Sequence, residues 1–390
     1  MNRVIMMAFL ILAAAMVGIL LIKNSPPDTN AAAKNTRVGL LLNGSHEDKN
    51  YCQAHYKALK SLQEELNLEI VCRDNVPRDC YEEIVDLIQK EGCEIIVAVS
   101  FEFGESMEKA ALSYPDICFL HATGTGYRNN LSTFFGRMYQ ARYLAGIVAG
   151  MQTKTGKLGY VSSFPVPEVI RGINAFALGA RSVRPDADVY VRYCGSWTQD
   201  VPAEKACRGL LDSHPVDVVL VHTNSLQPHK EAEGRGVWSI GCNEDNAGAF
   251  PNTYLTSCVW RWDVYYRKVI LSCLRGKFHG SHAWLGIDDG IVALSDFSGH
   301  VDGKTREAVQ AAHERLQSRE FDVFYGPVTD NAGNLRIGAG ESMSDDEMLH
   351  GFDWYVEGVT VEEQGMDEPG TPNSAGDPHR DRNHRRDTEF

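Results

Sequence analysis

The chain lacks an excess of basic residues. Its 38 Lys and Arg face 52 Asp and Glu, for a net charge of -14. A nucleic-acid surface needs a cationic face to neutralise phosphates, so nucleic acid is excluded as a partner. No block of Lys or Arg precedes the C-terminal tail, and an acidic body is equally unsuited to anionic lipid. The signatures of catalysis are missing too. There is no P-loop, no G-x-S-x-G and no H-E-x-x-H, and Gly124-Thr125-Gly126 lacks the third glycine of a dinucleotide fingerprint. None of the ten cysteines forms C-x-x-C, which argues against zinc ribbons and thioredoxin chemistry. No cofactor and no metal is therefore expected. His279-x-x-His282 has ligand-like spacing but lies in a Gly/Ser-rich surface turn. The adjacent Asp288-Asp289 is expected to cap a turn rather than to serve as an acid/base pair.

What is present begins with an apolar run. Val4 to Ile22 is long enough, as a helix, to cross a bilayer core and is flanked by Arg3 and Lys23. It reads as an export segment, either an uncleaved anchor or a signal cut near Ala31-Ala32-Ala33. The folded body is then expected outside the cytoplasmic membrane. No cysteine follows this run closely, so a lipid-attachment site is missing. In an exported chain, an even number of cysteines permits disulfides, but spacing alone does not pair them. Several, such as Cys118, fall inside apolar runs and read equally well as buried thiols.

From residue 36 onward, short continuous apolar runs alternate with helical patterns. Runs at Arg37–Leu42, Leu68–Cys72, Glu94–Val99 and Ile117–Leu120 alternate with helices near 51–66, Tyr81–Lys90 and Arg142–Met151. A second series follows: a strand at Leu158–Val161, a helix over Glu168–Val183 opened by Pro167, and strands at Asp188–Tyr193, Val216–Val221 and 237–240. Helices 203–212 and 261–274 belong to this series. Apolar strands alternating with helices imply parallel sheets covered on both faces. The expected architecture is α/β, with two doubly wound parallel-sheet lobes joined by a hinge. Residues 1–35 form the anchor or signal and linker. Lobe 1 takes 36–156 and roughly 288–320, lobe 2 takes 157–287 and roughly 321–360, and 361–390 form a disordered tail.

In open parallel sheets, ligands sit beyond the carboxyl ends of the strands. Here those ends carry His46 to Tyr51, then Ser100, Phe101, Glu102 and Phe103, then His121. The second series adds His222-Thr223-Asn224-Ser225, Gly241-Cys242-Asn243-Glu244-Asp245 and Trp260-Arg261-Trp262. Aromatic faces and fixed amides suit a flat heteroaromatic ligand.

Several segments resemble the basic membrane protein (Bmp) family of ABC-transporter substrate-binding proteins, whose members include purine nucleoside receptors. The similarity runs from about Arg37 to Val359. It is carried by Phe119–Gly124, Arg142-Tyr143-Leu144-Ala145-Gly146, Phe164–Phe176, His222–Ser225 and Phe352-Asp353-Trp354-Tyr355-Val356. The resemblance implies a type I periplasmic-binding-protein fold, no catalysis, a small purine ligand and delivery to ABC permease subunits. The ligand-binding residues it points to are Tyr51, Phe101, Phe103, His121, Asn174, Asn224, Gly241, Asn243, Trp260 and Trp262. Tyr51 occupies the place of the family's stacking aromatic. Asn243 replaces a common carboxylate and Trp260 a common lysine, which favours a free base such as adenine over its nucleoside. An anchored purine sensor that signals to a partner is the alternative role.

Overall fold

The computed structural model describes residues 35–362. The expected export segment and linker lie outside the described residues, as does the tail beyond Glu362.

Five strands open the first sheet: β1 (Thr36–Leu41), β2 (Leu68–Arg73), β3 (Ile95–Ala98), β4 (Cys118–Ala122) and β5 (Leu131–Gly136). Five more build the second: β6 (Lys157–Ser162), β7 (Asp188–Tyr193), β8 (Val218–His222), β9 (Trp238–Asn243) and β10 (Tyr254–Trp260). The chain then returns to both. β11 (His282–Leu285) joins the first sheet and β12 (Val292–Leu294) the second. β13 (Val328–Thr329) and β14 (Leu335–Ile337) form a separate ribbon, and β15 (Val359–Val361) closes the far edge of the second sheet. The strand orders are β11-β5-β4-β3-β1-β2 and β12-β10-β9-β8-β6-β7-β15. β12 runs antiparallel to β10, and the other pairs in these two sheets are parallel.

Burial explains why these runs become strands. Val38, Leu40, Ile96, Val97, Val218 and Leu220 are fully buried, as strands with helices on both faces must be. The most intimate helix pair is Met138–Gln152 against Pro167–Val183. Its backbones touch through small residues. A Cβ on Gly146 would lie 2.1 Å from the Phe176 carbonyl oxygen, and one on Gly179 would lie 2.0 Å from that of Tyr143. Pro167 stands in the first turn of its helix, as expected.

The strand pairing divides the chain differently from the boundaries expected on sequence. β11 pairs with β5, and the helix Trp262–Leu274 packs on the helix Tyr51–Ser61, so both lie with the first sheet. The helix Met138–Gln152 instead packs on β10 and β12, and the helix Gly303–Gln317 packs on it in turn, so both lie with the second. The reason is edge closure. β5 and β10 each leave an unpaired edge, which β11 and β12 cover. Three crossings therefore link the lobes, at Gly136–Met138, Trp260–Trp262 and Leu285–Ile291. They are tied together: Arg137 N–H donates to Leu285 O at 2.7 Å, Arg261 N–H to Ile291 O at 2.8 Å, and Ile287 N–H to the Gln140 side chain at 2.9 Å. Asp288 pairs with Arg319 and Asp289 accepts from Gly286 N–H at 3.1 Å, so both belong to this turn. The fold also runs past residue 360. Val361 ends β15, and the Glu362 carboxylate is held by His214 and Arg192.

Candidate functional site

The strand-end loops of the two lobes meet. β1 ends in a loop fixed by Asp48, whose carboxylate accepts from the N–H groups of Asn50, Cys52 and Gln53 and so opens the helix Tyr51–Ser61. This presents Asn50 and Tyr51 to the second lobe. Opposite, β9 ends at Asn243, whose φ of +66° turns the chain sharply. Lys57 reaches Glu244 at 2.6 Å, and Asn246 donates to Lys49 O at 3.3 Å.

Asn243 is the hub of this junction. Its amide nitrogen donates to Asn50 Oδ1 across the lobes at 2.5 Å and to Asn224 Oδ1 at 3.2 Å. Its oxygen accepts from Trp260 Nε1 at 2.8 Å. Three amides and an indole N–H thus form a ready set of donors and acceptors at one point between the sheets. Behind it stands an aromatic stack along the hinge. Trp260 stacks on Trp262 with centroids 4.5 Å apart, Trp262 on His55 at 4.7 Å, and Phe135 lies 4.9 Å from Trp260. The Trp260 ring fits because Gly136 has no side chain; a Cβ there would lie 2.4 Å from the ring.

Tyr51 opens its helix as expected. Its hydroxyl donates to Val99 O at 2.9 Å, which fixes the ring at the end of β3, edge-on to His55. Burial and the nearby Cys52 and Glu168 raise its pKa well above the ordinary value, so the phenol stays neutral. On the second lobe, His222 ends β8. It bonds Tyr160 at 3.0 Å and lies 3.6 Å from Glu168. Desolvation and the Arg142 charge lower its pKa well below the ordinary value, so its imidazole is neutral. Phe164 and Trp197 stand partly exposed beside it, 6.2 Å apart.

The structure brings Tyr51, Asn224, Asn243, Trp260 and Trp262 to this junction, although Trp262 is buried in the hinge stack. The other expected residues make no hydrogen bond to the Asn243 cluster. Phe103 is enclosed in the apolar cluster of the first lobe, and Phe101 beside it is 54% exposed. His121 is buried, with Nε2 bonded to Ser100 O at 2.7 Å. Gly241 leaves room for the Tyr254 hydroxyl, 2.1 Å from where its Cβ would be. Asn174 is a structural clamp in the middle of its helix. Its amide donates to Trp354 O at 2.8 Å and accepts from Val356 N–H at 3.0 Å, which ties the helix to the 354–356 segment. His279 and His282 do not converge: His279 is exposed and His282 bonds Thr133 at 2.8 Å. Sequence reasoning named Asn50 only among the residues after the first strand and left out His55 and Phe135. Asn50 carried its signal as the last residue before the helix at the first strand end; His55 and Phe135 carried none.

The profile of the Bmp family, described as ABC transporter substrate-binding protein PnrA-like, matches residues 35–320. A purine-binding protein of Brucella abortus is 33% identical over 84% of this chain and 94% of its own length. A Haloferax volcanii protein, named as a candidate ABC transporter glucose-binding protein, is 32% identical over 81% of this chain and 78% of its own. The fold matches that of an ABC transporter solute-binding protein from Conexibacter woesei, with a TM-score of 0.64 at 19% identity over 74% of this chain and 98% of that one. The chain therefore belongs to the Bmp family, a family of type I periplasmic-binding fold whose members are substrate-binding components of ABC transporters and not enzymes.

Proposed function

We propose that this protein captures a purine base or nucleoside between its lobes, with adenine preferred, and hands it to ABC permease subunits outside the cytoplasmic membrane. The observation that carries this reading is the amide cluster centred on Asn243. A purine edge alternates ring acceptors with N–H or amino donors, and side-chain amides offer the complementary pairs. Closure on a ligand would exchange the bonds among Asn50, Asn224 and Asn243 for bonds to its edge, so no amide is left unsatisfied in either state. Tyr51 supplies a neutral ring whose orientation is already fixed, which lowers the ordering cost of stacking.

The preference for a base follows from what the junction lacks. Ribose hydroxyls are best held by charged groups. At the two positions where family resemblance would put Lys and Asp, this chain has Trp260 and Asn243, already bonded to each other. The name of the Brucella relative supports a purine, and that of the Haloferax relative offers a sugar as the competitor. A thermal-shift screen with adenine, guanine, adenosine, guanosine and glucose decides between them, because a ligand that binds only the folded state raises Tm. The expected outcome is the largest shift with adenine. A shift with glucose and none with any purine would overturn the proposal.

A further inference from the structure

We propose that the outer edge of the first lobe carries a metal site for a zinc-type divalent ion, with His46, Cys72 and Asp74 as its protein ligands. The three donor atoms lie within 4.8 Å of one another. One carboxylate binds both neighbours: Asp74 Oδ2 is 2.6 Å from His46 Nδ1, and Asp74 Oδ1 is 3.4 Å from Cys72 Sγ. Imidazole, thiolate and carboxylate together are the donor set zinc prefers, and each is the wrong partner for calcium or magnesium except the carboxylate.

The backbone holds this group together independently of the side chains. Cys72 lies in β2, and the pairing of β1 with β2 continues past their ends: Leu42 N–H donates to Arg73 O at 3.0 Å, Asn75 N–H to Gly44 O at 3.0 Å, and Val76 N–H to Leu42 O at 2.8 Å. The loop carrying His46 is thereby zipped against the turn carrying Asp74. On its far side that loop is fixed by Asp48 and backed by the Tyr56 ring, 4.7 Å from His46. All three ligands are half-buried, so an ion can enter from solvent and keep a water as fourth ligand.

The donor atoms stand near, but not yet at, the spacing a shared ion needs, all three lying within 4.8 Å of one another. Zinc bonds of about 2.0–2.3 Å at tetrahedral angles place donor atoms roughly 3.4–3.6 Å apart. Cys72 Sγ lies at this distance from Asp74 Oδ1, the carboxylate oxygen that does not face His46, so a shared ion also draws Cys72 Sγ and the His46 ring closer together. His46 and Asp74 are closer because they share a hydrogen bond. Replacing it by a metal ion moves the two groups apart by about 0.8 Å, within the reach of side-chain rotation.

The test uses the full-length, reduced protein after chelator treatment. Zn²⁺ is titrated in competition with a chromophoric chelator, and Co²⁺ is titrated with its absorption recorded. One equivalent of each is expected to bind, and cobalt is expected to give a thiolate-to-metal charge-transfer band with the strong visible absorption of tetrahedral geometry. Cys72→Ser abolishes that band. His46→Ala and Asp74→Asn weaken zinc binding by more than about ten-fold, the least that loss of an outer-shell partner costs at such sites. His282→Ala leaves binding intact, and circular dichroism checks that each variant folds. Failure to bind one equivalent, or a cobalt complex lacking the thiolate band, overturns the site. So does a Cys72→Ser protein that binds zinc as tightly as the parent.

Discussion

Asn243 does two jobs that one substitution separates. Its backbone adopts a left-handed conformation that costs an L-residue about 1–2 kcal/mol, and its amide joins Asn50, Asn224 and Trp260. Asn243→Gly relieves the first and removes the second. Leaving the Trp260 N–H without an acceptor costs about 1–3 kcal/mol. The net loss of stability is expected near 1 kcal/mol in urea unfolding, while affinity for adenine falls at least ten-fold. Retained affinity would show that the amide only closes the lobes. Tyr51 separates in a similar way. Tyr51→Phe keeps the ring and drops the bond to Val99 O, so it should lose about 1 kcal/mol of stability and keep its affinity. Tyr51→Ala also loses stacking, worth roughly 1–3 kcal/mol per base, so calorimetry should show about ten-fold weaker binding or worse. Equal affinity in both variants would mean that the ring only packs against its own lobe.

At the scale of elements, the hinge depends on one close contact and one buried imidazole. Gly136 ends β5 where the chain leaves the first sheet, and a Cβ there meets Trp260 at 2.4 Å and Val292 at 2.9 Å. Gly136→Ala therefore overpacks the crossing. It should lower stability by about 1–3 kcal/mol, measured by calorimetric melting, and disturb the Trp260–Trp262 stack seen in tryptophan fluorescence. His55 joins the helices Tyr51–Ser61 and Trp262–Leu274 through Tyr266, 2.6 Å away, and its other nitrogen has no hydrogen-bond partner among the described residues. Burial lowers its pKa to about 3, as it does that of His229, and His222 is lowered in the same direction. The unfolded chain takes up protons near pH 6.5 that the folded chain refuses. Stability is thus full above about pH 6.5 and falls as pH drops toward 3, by about 1.4 kcal/mol per pH unit for each such histidine. Urea unfolding at about pH 7.5, 6 and 5 checks this, and a flat profile would contradict it.

Much of this element structure was legible in the sequence. Strands such as Val38–Leu41 and Val218–Val221 announce themselves because burial on both faces demands continuous apolar runs. The helix over 167–183 is legible from Pro167 and its periodic apolar face. Which sheet edge receives β11 and which receives β12 was not legible. That choice depends on which edge is bare once ten strands have paired, and no residue in His282–Leu285 encodes it. The site was legible in part for a related reason. An amide at a strand end and an amide in mid-helix look alike in sequence. Asn50 and Asn243 meet across the cleft, with Asn224 joining Asn243 from within the second lobe, whereas Asn174 bonds the backbone of Trp354 and Val356.

For the whole molecule, the two sheets, the three crossings and the contacts Asn50–Asn243 and Lys57–Glu244 describe lobes that close on each other at their strand ends. The aromatic stack and the crossing hydrogen bonds stiffen the hinge, and the amide cluster lies where closure would bury a ligand. Capture of a flat base is the central claim, and isothermal titration of adenine and of adenosine into the same protein sample tests it most directly. Saturable one-to-one binding of both is expected, tighter for adenine, with a negative heat-capacity change as the cleft closes. Tighter or equal binding of adenosine would contradict the preference for the base, and no heat from either compound under conditions where the protein is folded would contradict the claim itself.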